Sequence, residues 1–401
     1  MKRKLLLSAL VVNFTNANFL DNTIDKISQT TESVKNSITK SKNKIDLKEE
    51  RFDNIWNRIK DKLVKGSKLY AKKDKAPEST FIFGEDKQDI QDDIDSVLND
   101  IVNVLIDDDI LKYKNEIEDI NSKIKRDYEK ISEYKESKIG APKNSLVYTT
   151  KSGYDKKIKD TKDEIKILQN KIRIIKKSLK RKFTKIGVKL NAKQIDVLLS
   201  RVDGDDIIQM SVVINVIKEI TNQILKLMKS SNEDLTQAKR YYGMHLVSVA
   251  LIVNIQQKYI DKLNKEYIPK LDTLITKAKK LIEQTQINID KESDKNRRAI
   301  YLSNLEAQKS TYRVAIMYKQ NLLESKKKVI EAQIISKKNL ELAENTYNTV
   351  ALSKGIYDLI TQSQLMFNKI SQIQMPDIIP FENKQIEKKY KELTQQILDK
   401  Q

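Results

Sequence analysis

The chain has 401 residues with only 8 Gly, 5 Pro and no Cys, and its formal net charge is +20. So few turn-forming residues exclude a globular α/β fold with many loops, and the missing cysteines exclude disulfides, thiol catalysis and cysteine-based metal sites. The single histidine excludes a metal site built on a histidine pair. Because lysine far outnumbers arginine, we interpret the positive charge as a solvated surface rather than a phosphate-recognition site.

The first 17 residues have the three parts of a secretory signal peptide. Lys2, Arg3 and Lys4 are followed by an apolar run from Leu5 to Phe14 and then by a small-residue cleavage site ending at Ala17. This run is too short for a membrane-spanning helix, which needs about 20 apolar residues. We therefore predict a signal peptide over 1–17 and export to the periplasm or the medium. A short interfacial anchor or an ordinary helix start is the alternative.

Residues 18–84 are predicted to form N-terminal helices and a linker that contains Pro77. Within them, apolar residues recur on one face of a helix, at Phe52, Ile55, Trp56, Ile59 and Leu63. The opposite side is basic, so this helix could lie on an anionic membrane with Trp56 as a candidate binding residue. The favoured interpretation is that the apolar face packs on the protein's own core.

Residues 85–190 are predicted to be an acidic helix followed by an antiparallel coiled-coil hairpin. Apolar residues recur at alternating spacings of three and four on both sides of a loop bounded by Gly140, Pro142 and Gly153. The first arm has Ile110, Tyr113, Ile117, Ile120, Ile124, Asp127, Ile131 and Tyr134, and the second has Ile158, Ile165, Leu168, Ile172, Ile175 and Leu179. This heptad spacing is typical of a coiled coil, with Asp127 as one polar exception.

The second arm ends in a basic stretch without any acidic residue from Lys171 to Lys185. Its candidate binding residues are Lys176, Lys177, Lys180, Arg181 and Lys182. These side chains could bind nucleic acid, or they could attract the acidic segment 85–109 within one molecule or between molecules. Nucleic acid is the less favoured partner because an exported protein rarely meets it.

Residues 191–375 are predicted to form a bundle of long helices, with a C-terminal helix in 376–401. Asn191 is expected to cap a short helix, and 203–206 to form a turn with Asp capping the next helix. The most apolar stretch, 205–255, is the predicted core and includes His245, while Pro269 should interrupt a helix that reaches about residue 290. A later helix is predicted to pack through Leu302, Leu305, Tyr312, Ile316, Leu323, Ile330 and Ile334.

These patterns predict an all-α fold, an elongated antiparallel helical bundle with coiled-coil hairpins. No phosphate-binding glycine loop, nucleophile motif or metal-ligand cluster occurs in the sequence, so we predict neither an enzyme nor a cofactor. The function we expect is that of an exported scaffold or assembly protein of a bacterial envelope, acting on protein partners or by self-association. The alternatives are a helical pore-forming or membrane-remodelling protein and a basic coiled-coil nucleic-acid binder.

Overall fold

The computed structural model describes residues 42–79, 84–105, 108–185, 188–230, 235–352 and 376–398. Regular structure within those ranges is helical, without any strand, and the predicted all-α helical bundle is confirmed. The predicted signal peptide at 1–17 lies outside the described residues. Residues 353–375, the end of the predicted long-helix bundle, also lie outside them.

Ten α-helices can be followed in chain order within the described ranges. They are α1 (Lys42–Lys75), α2 (Lys87–Leu105), α3 (Asp108–Ile139), α4 (Lys151–Lys185), α5 (Ala192–Leu198), α6 (Gly204–Ser230), α7 (Leu235–Lys262), α8 (Ile268–Lys291), α9 (Lys295–Leu352) and α10 (Lys384–Leu398). The chain divides into two compact units, residues 1–54 and 55–401. The first contributes only the beginning of α1 to the described ranges, and the packing below is that of the second.

Helices α3 and α4 form the predicted antiparallel coiled-coil hairpin. Ion pairs cross between them at Lys123–Glu164 (2.6 Å) and Lys171–Glu116 (2.8 Å), so residue numbers fall on one arm as they rise on the other. The predicted heptad positions face inward: Ile110, Ile117, Ile120, Asp127, Ile131, Ile165, Ile175 and Leu179 are buried. Several apolar residues off that seam are exposed, with Ile174 63 % accessible.

The core of the second unit is centred on α6 and α7, as the apolar stretch at 205–255 predicted. Both helices are buried on more than one side, and α2 and α9 pack against them. Two glycines allow α1 and α7 to approach closely. A Cβ atom at Gly243 would lie 2.5 Å from the Cβ of Ser67 on α1, and one at Gly66 would lie 2.9 Å from a methyl group of Val247 on α7.

Helices α7 and α8 form one continuous helical element, joined by a π-helical turn at Leu263–Tyr267. Pro269 follows at the start of α8. Proline lacks an N–H donor and its ring crowds the preceding helical turn, so a widened turn is a way to accommodate it. The predicted interruption at Pro269 thus takes the form of a π-helical turn. The helix then continues as α8 to Lys291, close to the end predicted at about residue 290.

Helix α9 has 58 residues, or roughly 87 Å at ~1.5 Å per residue, and runs antiparallel to α7 and α8. Lys319 binds Asp272 of α8, and the side-chain amide of Gln333 donates to Gln257 of α7 at 3.0 Å. The predicted packing face of α9 is wrong at three of its seven residues, because Leu302, Leu323 and Ile334 are exposed. Of the other four, Leu305 is buried and the remaining three are half-buried. The buried face in the middle of α9 is mixed, with small and polar side chains beside aliphatic and aromatic ones: Ala315, Tyr318, Leu322, Ser325, Val329, Gln333, Ser336, Asn339 and Ala343.

Candidate functional site

The most concentrated group of buried polar side chains surrounds the short connection between α5 and α6. Arg201 binds Asp203 through two hydrogen bonds of 2.7 Å, and both side chains are almost fully buried. Asp203 also accepts a hydrogen bond from the Tyr259 hydroxyl of α7 at 2.7 Å, and Arg201 donates to the Ser325 hydroxyl of α9 at 3.0 Å. We call this group, with the residues bonded to it below, the polar junction.

The next residues extend the polar junction to the start of α6. Asp206 accepts hydrogen bonds of 2.7 Å from both Lys262 and the Tyr267 hydroxyl, the latter belonging to the π turn. Asp205 pairs with Lys114 of α3. Gly204 is required here by a close approach, since a Cβ atom at this position would lie 1.9 Å from the carbonyl oxygen of Leu198. Asp203, just before α6, forms the ion pair with Arg201. Asp205 and Asp206 lie in the first turn of α6.

A chain of hydroxyl groups closes the other side of the polar junction. The Val202 N–H donates to the Tyr318 hydroxyl, which lies 2.8 Å from the Thr394 hydroxyl, and Thr394 donates to the Ser200 carbonyl at 2.8 Å. Because Thr394 uses its only proton on that carbonyl, Tyr318 must donate to Thr394. The ring of Tyr318 stacks on that of Tyr390 with centroids 4.0 Å apart. The connection between α5 and α6 is thereby bonded to α7, α9 and α10.

The charges of the polar junction favour a structural role over a catalytic one. Burial lowers the pKa of Arg201, but the adjacent Asp203 more than offsets this and raises it overall. Burial, with the charge of Asp203, raises the pKa of Tyr259, and burial raises the pKa of Tyr390 to about 12. The two tyrosines thus stay neutral and Arg201 stays charged near neutral pH. A general acid or base needs a pKa close to the working pH, so these groups hold structure rather than move protons.

A cleft of about 290 Å³ lies between α1, α2, α7 and α9. It is lined by Tyr70, Lys73, Asp74, Lys87, Leu246, Glu344, Tyr347 and Asn348. Burial raises the pKa of Glu344, and nearby Lys73 partly reverses that shift. Two lysines face two acids and only one wall residue is aliphatic. Small-molecule pockets are usually apolar with a few polar groups and span ~300–1,000 Å³, so this cleft has little of their character.

Trp56, the candidate residue for membrane binding, is half-buried on α1. Two other residues of its predicted apolar face, Ile59 and Leu63, are completely buried. Packing of that face on the protein's own core is therefore observed, as the favoured interpretation expected. A role of Trp56 in binding stays a prediction.

The five basic candidates near the end of α4 do not form one uniform surface. Lys176 pairs with Asp196 of α5 at 2.6 Å, and Lys182 is half-buried. Lys177, Lys180 and Arg181 are exposed. The three exposed cations are the part of the predicted patch that an acidic partner could reach, and their use in binding stays a prediction.

His245 lies in the core, 1 % exposed, as the apolar stretch predicted. Burial lowers its pKa to about 3, so the imidazole is neutral under physiological conditions. A neutral side chain enclosed by the core of α7 has no access to a substrate from solvent.

Two apolar surfaces were not recognised from the sequence. Leu146, Val147 and Tyr148 are exposed in the loop between α3 and α4, where only a turn was expected. The second surface, which we call the outer row, consists of Leu302, Leu323 and Ile334 of α9, which were predicted to belong to its packing face. For the loop surface, the sequence does carry a signal: three adjacent apolar residues inside a loop bounded by Gly and Pro. For the outer row the sequence carries no such signal, because its spacing is that of a packed face.

Across the described ranges, His, Cys, Asp and Glu nowhere form a group of three or more that could hold a metal ion. None of the helices described is both long and apolar enough to cross a membrane. No protein-family model matches the chain, and no curated protein or solved structure is significantly similar to it.

Proposed function

We propose that the chain is an exported, non-enzymatic scaffold or assembly protein of a bacterial envelope that acts through protein contacts. The observation that supports this most is the outer row of α9. Its residues are 48 %, 40 % and 51 % exposed at Leu302, Leu323 and Ile334, on a helix whose opposite face is already packed. Apolar side chains repeated along one exposed face are typical of a surface that receives another helix.

The geometry of the outer row suits a helical partner. Leu323 and Ile334 are eleven residues apart, close to three helical turns, so they project from the same side of α9. Ile335 and Leu342, 51 % and 48 % exposed, extend the apolar surface along the helix. A partner helix lying along this side would bury these residues together, as in helix-in-groove recognition or a coiled coil.

A double variant, Leu323→Gln with Ile334→Gln, tests the role of the outer row. The matched control is Ile167→Gln with Ile174→Gln, since those residues of α4 are 68 % and 63 % exposed. Both variants should fold, because each changes exposed side chains only. We expect self-association in sedimentation experiments, or capture of envelope proteins after cross-linking in cells, to be lost in the α9 variant and kept in the control. Equal behaviour of the two variants, or no association of the parent chain, would contradict the proposal.

Export is tested separately by fractionating cells and measuring the mass of the mature N-terminus. Cleavage after Ala17 is expected, with the protein in the periplasmic or secreted fraction. A full-length chain found in the cytoplasm would exclude the envelope role and revive the nucleic-acid hypothesis. A salt-dependent gel shift would then be the next measurement.

A second candidate function, membrane remodelling or pore formation, is favoured by one observation. The two successive helices α6 and α7 are strongly apolar and enclosed by other helices, an arrangement in which an apolar segment could be exposed by rearrangement. Leakage of a dye from liposomes would support this candidate. Intact liposomes at high protein concentration would favour the scaffold.

A further inference from the structure

The loop at the end of the coiled-coil hairpin exposes apolar side chains to an unusual degree. Helix α3 ends at Ile139 and α4 begins at Lys151. Leu146 is 106 % exposed, Val147 83 % and Tyr148 73 %, and Ile139 at the end of α3 is 81 % exposed. We call residues 139–151 the hairpin tip. Scattered single apolar residues are normal on a surface, but three consecutive ones at the end of a projecting hairpin form a cluster.

Hydrogen bonds hold the hairpin tip in this conformation. The backbone N–H of Lys151 donates to the Pro142 carbonyl at 3.0 Å and so closes the loop at its base. The hydroxyl of Ser145 accepts from the N–H groups of Val147 and Tyr148 at 3.1 and 2.9 Å. A serine hydroxyl that accepts from the backbone N–H groups two and three residues further along the chain forms a compact turn. The apolar side chains are thus presented outward by a bonded turn.

Positive charge surrounds the base of the hairpin tip. Residues 135–157 contain six lysines and two acidic residues, Glu136 and Asp155. Asp155 is paired with Lys138 at 2.6 Å. The other lysines, at 135, 143, 151, 156 and 157, are exposed. The local surface is therefore strongly basic, and it favours an anionic partner.

Two of these lysines lie behind the apolar cluster along the hairpin axis, while Lys143 and Lys151 belong to the hairpin tip itself. Lys135 and Lys156 lie four and five residues inside the ends of their helices, or roughly 6–8 Å behind the tip at ~1.5 Å per residue. An interfacial membrane anchor has this order, with apolar side chains at the acyl boundary and lysines level with the headgroups. Tyrosine is one of the residues enriched at that depth. A protein partner would have to supply a pocket for a convex cluster, whereas a lipid surface accepts one of any shape.

We propose that the hairpin tip docks on an anionic lipid surface, with Leu146, Val147 and Tyr148 entering the interface and the surrounding lysines contacting lipid headgroups. This goes beyond the scaffold function, because it assigns a membrane contact to a part of the molecule distinct from the outer row of α9. In an envelope it would position the scaffold at a membrane.

Co-sedimentation of the full chain with vesicles tests the proposal. Vesicles of phosphatidylglycerol mixed with phosphatidylcholine are compared with vesicles of phosphatidylcholine alone, at low salt and at about 1 M salt, where the Debye length is ~3 Å. We expect binding to the anionic vesicles at low salt and weaker binding in the other conditions. Equal binding to both vesicle types, or none to the anionic ones, would overturn the proposal.

A triple variant, Leu146→Ser, Val147→Ser and Tyr148→Ser, then measures how much the three apolar side chains contribute to vesicle binding. All three side chains are exposed, so folding should be unchanged, and we expect vesicle affinity to fall at least about tenfold. The same change at Ile167 and Ile174, midway along α4, is the control and should leave binding unaltered. The α9 variant Leu323→Gln with Ile334→Gln should also bind vesicles normally, which separates this proposal from the scaffold function.

The absence of cysteine allows direct localisation of the contact. A single Val147→Cys substitution can carry one environment-sensitive fluorophore, with Ile167→Cys as the matched site. Anionic vesicles should shift the emission of the label at 147 to the blue and leave that at 167 unchanged. Shifts at both sites would overturn docking through the tip. Docking through the tip would also be overturned if the triple serine variant bound vesicles as tightly as the parent chain. The same holds if the parent chain did not bind vesicles but captured an acidic protein through the tip.

Discussion

The hairpin of α3 and α4 and the pair formed by α7 and α9 are both antiparallel pairs of long helices, yet they pack by different means. In the hairpin, isoleucines at heptad positions such as Ile117, Ile120 and Ile175 are buried between the two arms. The buried face of α9 has alanine, serine, glutamine and asparagine at many of its positions. The large aliphatic residues of α9 at Leu323 and Ile334 are left in solvent.

The difference follows from the number of neighbours each helix has. Over most of its length each hairpin arm has one partner, so the seam itself must supply the apolar volume. Helix α9 rests on α7, which is apolar on several sides, and small side chains let the two backbones approach. Two buried polar side chains of α9 have partners on other parts of the chain: Gln333 donates to Gln257 of α7, and Ser325 accepts from Arg201 in the connection between α5 and α6.

The largest expected effect comes from breaking the polar junction that α9 helps to close. Arg201→Ala leaves Asp203 buried without its cation, and the loss of one partner of a buried ion pair costs about 3–5 kcal/mol. Urea unfolding should show that loss in the free energy of unfolding. The control is Lys171→Ala in the exposed hairpin pair with Glu116, where a change below about 0.5 kcal/mol is expected. Similar losses for both variants would remove the distinction between the two regions.

Glycine-to-alanine substitutions test how tightly side chains pack at the contact between α1 and α7 and at the end of the α3–α4 hairpin. Gly243→Ala would place a Cβ 2.5 Å from Ser67, and overpacking of this kind costs about 1–3 kcal/mol. At Gly140, within the hairpin tip, no atom lies within 4 Å of the added Cβ, so Gly140→Ala should leave stability nearly unchanged. Thermal unfolding measures both. A tolerated alanine at position 243 would mean that α1 and α7 are not closely packed there.

A buried acid in the hairpin seam gives an effect of the opposite sign. Asp127 is fully buried at a heptad position, and one of its oxygens has no hydrogen-bond partner within the described part of the chain. Asp127→Ile should therefore raise the free energy of unfolding by about 1–2 kcal/mol, since it replaces a poorly satisfied polar group with an apolar one. The same change at exposed Asp119 serves as the control. A loss of stability would instead assign Asp127 a role in setting the register of the two arms.

The smallest effect is a pH dependence that belongs to α7. Burial lowers the pKa of His245 to about 3, below its unfolded value near 6.5, so the unfolded chain binds the extra proton first as the pH falls. The stability associated with neutral His245 is complete above pH 6.5 and declines toward pH 3. Between pH 7 and 5.5 the loss should be about 1 kcal/mol. A His245→Phe variant should show a shallower decline by that amount, and an unchanged pH profile would show that His245 is not the group titrating.

The sequence predicted some elements correctly because their spacing alone carries the information. The heptads of α3 and α4 were identified residue by residue, and Asn191 caps α5 as expected, with Gln194 completing the capping box. The course of the helix through Pro269 to Lys291 was also anticipated. In each case the decisive contacts are local or involve a neighbouring arm, so composition and period are sufficient.

The face of α9, the polar junction and the hairpin tip could not be obtained in the same way. Leu302, Leu323 and Ile334 have the spacing of a packed stripe, but the neighbour on the other side of α9 decides which stripe is buried. Arg201 and Asp203 are two residues apart in a chain rich in charges, and only the enclosing α7, α9 and α10 distinguish them from a surface pair. Likewise, the exposure of Leu146 depends on where the hairpin ends relative to the rest of the unit.

Composition and period were enough to establish an all-helical chain, a two-armed coiled coil and the apolar helices of the core, because the backbone bonds within helices and the burial of a regular stripe are short-range effects. Which stripe of α9 faces inward, which ions are buried and which apolar residues remain in water were decided only when distant helices packed together. Burial is a property of the assembled neighbours, and those neighbours can lie 280 positions apart along the chain, as Tyr347 and Ser67 do.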